Sequence, residues 1–190
     1  MMPVRPARAE DAPAIAAIYS HYALNTVITF ATHAPTPEHY ARQIAAGAYP
    51  FLVLEEAGQV AGFAYAGAFR PHDAYRWDVE LTIYLRPGQE GRHAGRALMA
   101  PLLALLRRQG FLLAYSCVTL PNPRSIGLHR HFGFGELVVF PRTGYKLDAW
   151  RDVIWLQLAL GSHDAAPAEP TPFSALPREE VDRILAAAYA

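Results

Sequence analysis

Between Glu90 and Met99 the chain reads EGRHAGRALM. Gly91, Ala94, Gly95 and Ala97 keep the backbone accessible there, and Arg92 and Arg96 add two guanidinium groups. The first amides of a helix lack intrahelical partners and carry partial positive charge, so such a junction can cradle a phosphate. An ordinary turn with solvated arginines has the same composition. The stretch is neither a Walker loop nor a clean G-x-G-x-x-G. Glu80, in WDVELTIYL, is either a base for an ammonium proton or a strand-edge carboxylate paired with a neighbour such as Arg76. Asn122 suits the cap of a helix starting near Pro123. His129, in SIGLHRHFGF, titrates near neutrality and could move a proton, although a lone histidine is more often structural. His131, two residues on, should face elsewhere on a helix.

The single cysteine, Cys117, excludes an internal disulfide and a multi-cysteine zinc site. Within the apolar run LLAYSCVTL it reads as a buried structural thiol. Arg70, His72, Tyr75 and Trp77 place cations and aromatics just before Glu80, which suits either a substrate wall or a solvated loop.

These groups need a scaffold, and the composition allows one. The chain has 190 residues, 52% of them hydrophobic, enough for one domain with a tail. Lys+Arg and Asp+Glu both number 17, so no global field favours nucleic acid or an anionic membrane. Lys146 is the only lysine. The N-terminus lacks the apolar core of a signal peptide, and ALMAPLLALL falls far short of the ~20 residues of a spanning helix. A soluble cytoplasmic protein is expected.

Asp11 should cap a helix that puts Ile15, Ile18, Tyr19 and Tyr22 on one face. Thr36, Pro37 and Gly47 frame a second helix, and the intervening NTVITFATHAPT reads as a loop or lid. Ala57-Gly58 should turn one strand into the next, and a third runs from about Val79 to Leu85. A helix from about Ala94 to Gln109 follows, with Leu98, Leu102, Leu105 and Leu106 inward, Gly110 as its cap and Pro101 expected to kink it. FLLAYSCVTL, NPRSIGLHRHF, GFGELVVF and AWRDVIWLQLAL complete the order as strand, helix and a strand pair. Long crossovers with hairpins imply a mixed sheet with helices on its faces. The Pro/Ala-rich GSHDAAPAEPTPFSAL reads as a linker before an amphipathic PREEVDRILAAAYA.

The order strand, small-residue loop, helix, strand, then LPNPRSIGLHRHFGF resembles the GNAT acetyltransferases. IYSHY, AGFAYAGAFRPHDAYRWDVELTIYL and GYKLDAWRDVIWLQLAL extend the match to roughly residues 5–160, closest to the phosphinothricin and methionine sulfoximine acetyltransferases. The resemblance implies an α/β fold with a mixed, mostly antiparallel sheet and helices on both faces. It implies a domain over residues 1–160, followed by the tail of residues 161–190. It implies acetyl-CoA as cosubstrate, no metal, and direct transfer to the amine of a small amino-acid-like substrate.

Glu80 then accepts the ammonium proton, and His129 positions substrate or moves a proton near the thioester sulfur. The backbone of Ile83, Tyr84 and Leu85 pairs with the pantetheine arm, and Asn122 bonds that arm. Gly91, Arg92, His93, Ala94, Gly95 and Arg96 hold the pyrophosphate. Phe30, Arg70, His72 and Tyr75 surround the substrate, with His72 standing where phosphinothricin-type sequences have Arg. Two registers of the cradle are possible, and the flanking motifs select the second: the first satisfies Arg-x-x-Gly-x-Ala from Arg92 to Ala97. The ungapped one puts Glu90 at the usual Gln or Arg and His93 at the usual first Gly. This second register predicts weaker or more pH-dependent CoA affinity. A homodimer is implied through the last strands. The alternatives are acetylation of a protein N-terminus or another amine, and a CoA-binding protein without transferase activity.

Overall fold

From Phe51 to Leu54 every residue is buried, which a strand achieves only when both of its faces are covered. A computed structural model, which describes residues 2–187, shows the two covers. Leu52 and Leu54 join a cluster with Leu98, Leu102 and Leu105 of helix α3 (Ala94–Gln109). Phe51 and Val53 join another, with Ile15, Ile18 and Tyr22 of α1 (Ala12–Asn25) and Tyr40 of α2 (Pro37–Ala46). The strands are β1 (Val4–Pro6), β2 (Phe51–Glu56), β3 (Gln59–Ala68), β4 (Asp78–Leu85), β5 (Leu113–Thr119), β6 (Gly135–Lys146) and β7 (Ala149–Ala159). They form one seven-stranded sheet in the order β1-β2-β3-β4-β5-β7-β6. Only the β4–β5 junction is parallel, so the mixed, mostly antiparallel α/β sheet agrees with expectation.

That junction is also where the sheet opens. The parallel register runs only from Asp78↔Leu113 to Glu80↔Tyr115, while β4 stays paired with β3 up to Leu85. Beyond Glu80 the two halves of the sheet part, and the β5-facing edge of residues 81–85 is left without a strand partner. Helix α4 (Pro123–His131) follows β5, and α3 begins across the gap.

Several local expectations hold. Ala57 and Gly58 take positive φ (50° and 75°), the conformation that matches a two-residue turn to strand twist. Gly110 caps α3 at φ 92°. Others need correction. The Asp11 carboxylate does not cap α1: it takes Arg5 at 2.7 and 2.9 Å and the Arg8 N–H at 2.8 Å. The three-residue β1 was too short to leave a periodic signal, and β6 runs on past Phe140 to Lys146.

Residues 161–177, linker-like by composition, lie against the body. Trp77 Nε1 donates to the Ala168 carbonyl at 2.8 Å, and Gln109 Nε2 donates to Ala48 O at 3.0 Å and Thr171 O at 2.8 Å. Helix α5 (Arg178–Ala187) then brings Val181 and Leu185 into the α3-side core, alongside Leu176. The last three residues of the expected amphipathic helix lie outside the described ones. No helix among the described residues is long and apolar enough to cross a membrane.

Candidate active site

The parted strands leave two adjoining cavities. The larger, about 580 Å³, runs from Ile83–Leu85 on β4 to the N-terminus of α3. Gly91, His93, Ala94, Gly95 and Arg96 line it there. Its other wall is the start of α4, Asn122 to Ser125. A Cβ added at Gly91 would meet nothing within 4 Å, so what this glycine supplies is its conformation, φ 78°. His93 takes the same left-handed region, φ 61°, as the N-cap of α3. A side chain therefore stands where the backbone favours glycine, as the ungapped register implies. The backbone amides at the start of α3 and the unpaired β4 edge, lining one cavity, together fit a pantetheine arm ending in a pyrophosphate.

Charge around the cradle differs from the sequence expectation. Arg92 does not line it: its guanidinium bonds Glu56 at 2.6 Å and Gln89 at 3.2 Å. Glu56 also takes Arg86 at 3.3 Å, so Arg92 belongs to a charge cluster behind the loop. Arg124, one residue past the Pro123 that opens α4, lines the cavity instead. The sequence reading missed it, although a cation in the first turn beside Asn122 is itself a signal. Arg96 and Arg124 are exposed and make no ion pair among the described residues. The Glu90 carboxylate lines the cavity and accepts the Gly88 N–H at 2.9 Å.

The smaller cavity, about 300 Å³, shares Ile28, Ile83, Tyr84, Asn122 and Ser125 with the larger one. Glu80 lines it, on the last β4 residue before the strands part. Its carboxylate has no hydrogen-bond or ion-pair partner among the described residues. Burial lifts the carboxyl above its ordinary value, with Arg70 partly opposing the shift. The suggested Arg76 partner is elsewhere, bonded to Glu169 at 2.8 Å. A half-buried, unpaired carboxylate facing a cavity is equipped to accept a proton.

Asn122 performs its cap role, its Oδ1 accepting the Ser125 N–H at 3.1 Å. The amide's NH2 end has no hydrogen-bond partner among the described residues, and Asn122 lines both cavities. His129 also lines the smaller cavity but is 2% exposed. Its Nδ1 lies 2.8 Å from the Ser125 carbonyl, which can only accept, so Nδ1 carries the proton. Nε2 is then an acceptor and takes the Ser116 hydroxyl at 2.9 Å. Burial lowers the His129 pKa, with the Ser125 hydrogen bond opposing, and the ring is neutral near pH 7. Ser116 was missed from sequence. The pair resembles a nucleophile with its base, but Ser116 is itself 2% exposed and His129 has no carboxylate behind it.

Cys117 is exposed into the smaller cavity, a correction to the buried thiol expected. It lies on the strand face opposite Ser116, across from Trp155 on β7. Surrounding protein still desolvates the thiolate, and with Glu80 nearby the pKa rises to about 11, Arg70 opposing. A thiol at neutral pH is a poor nucleophile.

Of the expected substrate residues, Phe30 lines this cavity and Arg70, His72 and Tyr75 do not. Arg70 lies over the rings of Phe69 (4.2 Å) and Trp155 (5.3 Å), close enough to Glu80 to affect its titration. His72 is exposed and Tyr75 packs edge-on against Phe69, so both sit outside the cavity. The described residues hold no cluster of three metal-ligating side chains.

Comparison with known proteins agrees with this geometry. Residues 4–155 match the family model described as "Acetyltransferase (GNAT) domain". The chain is 34% identical to the phosphinothricin N-acetyltransferase of Streptomyces viridochromogenes over 171 residues, 89% of this chain and 91% of that one. It is 35% identical over 172 residues to the L-methionine sulfoximine/L-methionine sulfone acetyltransferase of Salmonella typhimurium, covering 88% and 99%. A GNAT superfamily phosphinothricin acetyltransferase from Sinorhizobium meliloti, solved in complex with AcCoA, superposes with a TM-score of 0.85 at 34% identity, covering 91% and 97%.

Proposed function

Because the chain belongs to the GNAT acetyltransferases, enzymes that draw their acetyl group from acetyl-CoA, we propose that it acetylates the α-amine of a small amino-acid-like substrate of the methionine sulfoximine or phosphinothricin type. The observation that carries this is Glu80, an unpaired carboxylate in a 300 Å³ pocket that opens through Ile83 and Asn122 into the cradle cavity. The names and coverage of the relatives support the substrate class.

Acetyl-CoA would be held along the larger cavity, with the α3 amides, Arg96 and Arg124 available to its pyrophosphate and the β4 edge available to its pantetheine arm. The thioester then arrives where the cavities meet. Glu80 takes the ammonium proton, directly or through water, and the neutral amine attacks the thioester carbonyl. The C–S bond then breaks, the proton still on nitrogen passes through water to the departing thiolate, and CoA leaves as its thiol. His129, held neutral with its basic nitrogen toward Ser116, positions the pocket wall from behind. Transfer is direct, since Cys117 is a protonated thiol and Ser116 is buried. Arg70, close enough to Glu80 to affect its titration, is the cation that receives the substrate's acidic end, and Phe30 is the aromatic wall. The working unit is a homodimer, supported by the exposed apolar strand β6, with Leu137, Val138, Val139 and Phe140 all 44% exposed or more. An enzyme of this kind works where acetyl-CoA is held, in the cytoplasm.

The deciding experiment is thiol release from acetyl-CoA over a panel of amines containing methionine sulfoximine, phosphinothricin and short peptides. Turnover of the small amino acids above the peptides is expected. Turnover of peptides alone, or of nothing while CoA still binds, would overturn the reading.

A further inference from the structure

Lys146 is the only lysine of the chain and is 5% exposed, yet it forms no ion pair among the described residues. Its ammonium instead crosses from the end of β6 to the loop after α1. There Nζ donates to the Thr29 carbonyl at 2.7 Å and reaches the Tyr22 carbonyl at 3.4 Å. Tyr22 belongs to the last turn of α1, the end at which a cation is favoured. The same carbonyl takes the Thr26 hydroxyl at 2.9 Å, so this point gathers the chain where helix becomes loop. Burial lowers the Lys146 pKa, the cost of placing an ammonium among carbonyls rather than carboxylates.

Two residues earlier on β6, Gly144 meets the same loop. A Cβ there would overlap the Phe30 ring, so the ring rests directly on the β6 backbone. Two smaller ties complete the attachment: the Tyr19 hydroxyl lies 2.9 Å from Thr29 Oγ1, and the Thr119 hydroxyl bonds Ile28 O at 3.4 Å. The loop matters because Ile28, Thr29 and Phe30 line the smaller cavity, and Ile28 lines both.

We propose that Lys146 and Gly144 form a latch by which β6 positions residues 26–31 as the wall of the acceptor-amine pocket. Lys146 is thus a positioning residue: it touches neither substrate, and it acts through the loop it holds. The inference rests on the amine-pocket assignment made above. Without the ammonium, the Thr29 carbonyl loses its donor and Phe30 loses its fixed seat, so the amine is held less well against Glu80.

The test compares Lys146→Met with Lys146→Arg in steady-state kinetics, with hydrogen exchange measured over residues 26–31. Lys146→Met should raise KM for the amine about tenfold while moving KM for acetyl-CoA much less, and should speed exchange in the loop. Lys146→Arg, which keeps charge and donors, should recover most of the amine KM. An amine KM and loop exchange both unchanged in Lys146→Met would overturn the latch. If Lys146→Met does not fold, Gly144→Ala carries the test: it must displace Phe30 and raise the amine KM, and an unchanged KM there overturns the proposal. If the unmodified protein turns over no amine at all, the pocket assignment fails instead. Loop exchange in Lys146→Met still reports the latch in that case.

Discussion

At the scale of single residues, Glu80 and His129 are perturbed in ways that make opposite demands on pH. Burial raises the Glu80 carboxyl, so it holds its proton to higher pH in the folded chain than in the unfolded one. Folding is therefore penalised as pH rises from the ordinary value of 4.5 through the raised one, and the penalty is complete only above the raised value. Glu80→Gln removes both the base and the penalty. Its kcat/KM for the amine should fall by roughly 10²-fold or more, while its melting temperature at pH 7 stays equal or rises. An active variant, or an inactive one that is also less stable, would contradict the assignment of a desolvated base. In the unmodified enzyme the acidic limb of kcat/KM should lie above the ordinary carboxylate range. His129 runs the other way. Its folded pKa is depressed, so below about 6.5 the unfolded chain binds a proton that the folded one refuses. Stability from this residue is fully present above 6.5 and is lost as pH falls through that value toward the folded pKa. Urea melts between pH 5.5 and 7.5 should show that loss, and His129→Gln should flatten it.

At the scale of elements, the α3 N-terminus is the place where sequence and conformation disagree. His93 adopts φ 61°, a region that costs a residue with a Cβ about 1 kcal/mol relative to glycine. That strain is present with or without cosubstrate, so relieving it acts on stability. The side chain at the cradle mouth acts on affinity. His93→Gly should raise the melting temperature by about 2–4 °C. It should also tighten acetyl-CoA binding, because no side chain then stands at the cradle mouth. Calorimetry showing the same affinity from pH 6 to 8, with an unchanged melting point, would remove His93 from the account of the cradle. Much of this element was legible beforehand. The leucine spacing and Gly110 marked α3, and the quoted motifs singled out Glu80 and Asn122, which the fold brings to the point where the strands part. What could not be read is pairing between distant segments. Arg92 next to Gly91 looks like a phosphate ligand until Glu56, from a different strand, is seen to hold it. Cys117 looks buried because its run is apolar, but the parting of β4 and β5 leaves a cavity on its face of the strand. Arg124 and Ser116 gain their roles only when α4 is folded against β5. The contacts of the tail with Trp77 and Gln109 are hidden for the same reason, since Pro and Ala report turns and not what they pack on.

At the scale of the whole molecule, β6 sits at the edge of the sheet and bears large apolar side chains in the open. Tyr145 is 58% exposed and Trp150, beside it on β7, is 60% exposed. A long hydrophobic edge strand invites association unless something covers it, and a second copy of the chain is the cover proposed for it. The latch inference adds a consequence. β6 carries Gly144 and Lys146, so the strand that would meet the partner is also the strand that seats Phe30 and Thr29. Dimerisation and amine binding should then be coupled: a partner that stiffens β6 stiffens the acceptor wall. The unmodified protein should run at twice the chain mass in light scattering, and Val139→Lys with Phe140→Glu should shift it to a monomer. Both positions lie on β6 before the latch, and neither lines the two cavities. If the coupling operates, the monomer keeps its acetyl-CoA affinity but shows a raised KM for the amine, about severalfold, because a small displacement of a positioning wall is felt at the reacting atoms. A monomer with an unchanged amine KM would separate assembly from the pocket, and a variant that remains dimeric would move the interface away from β6.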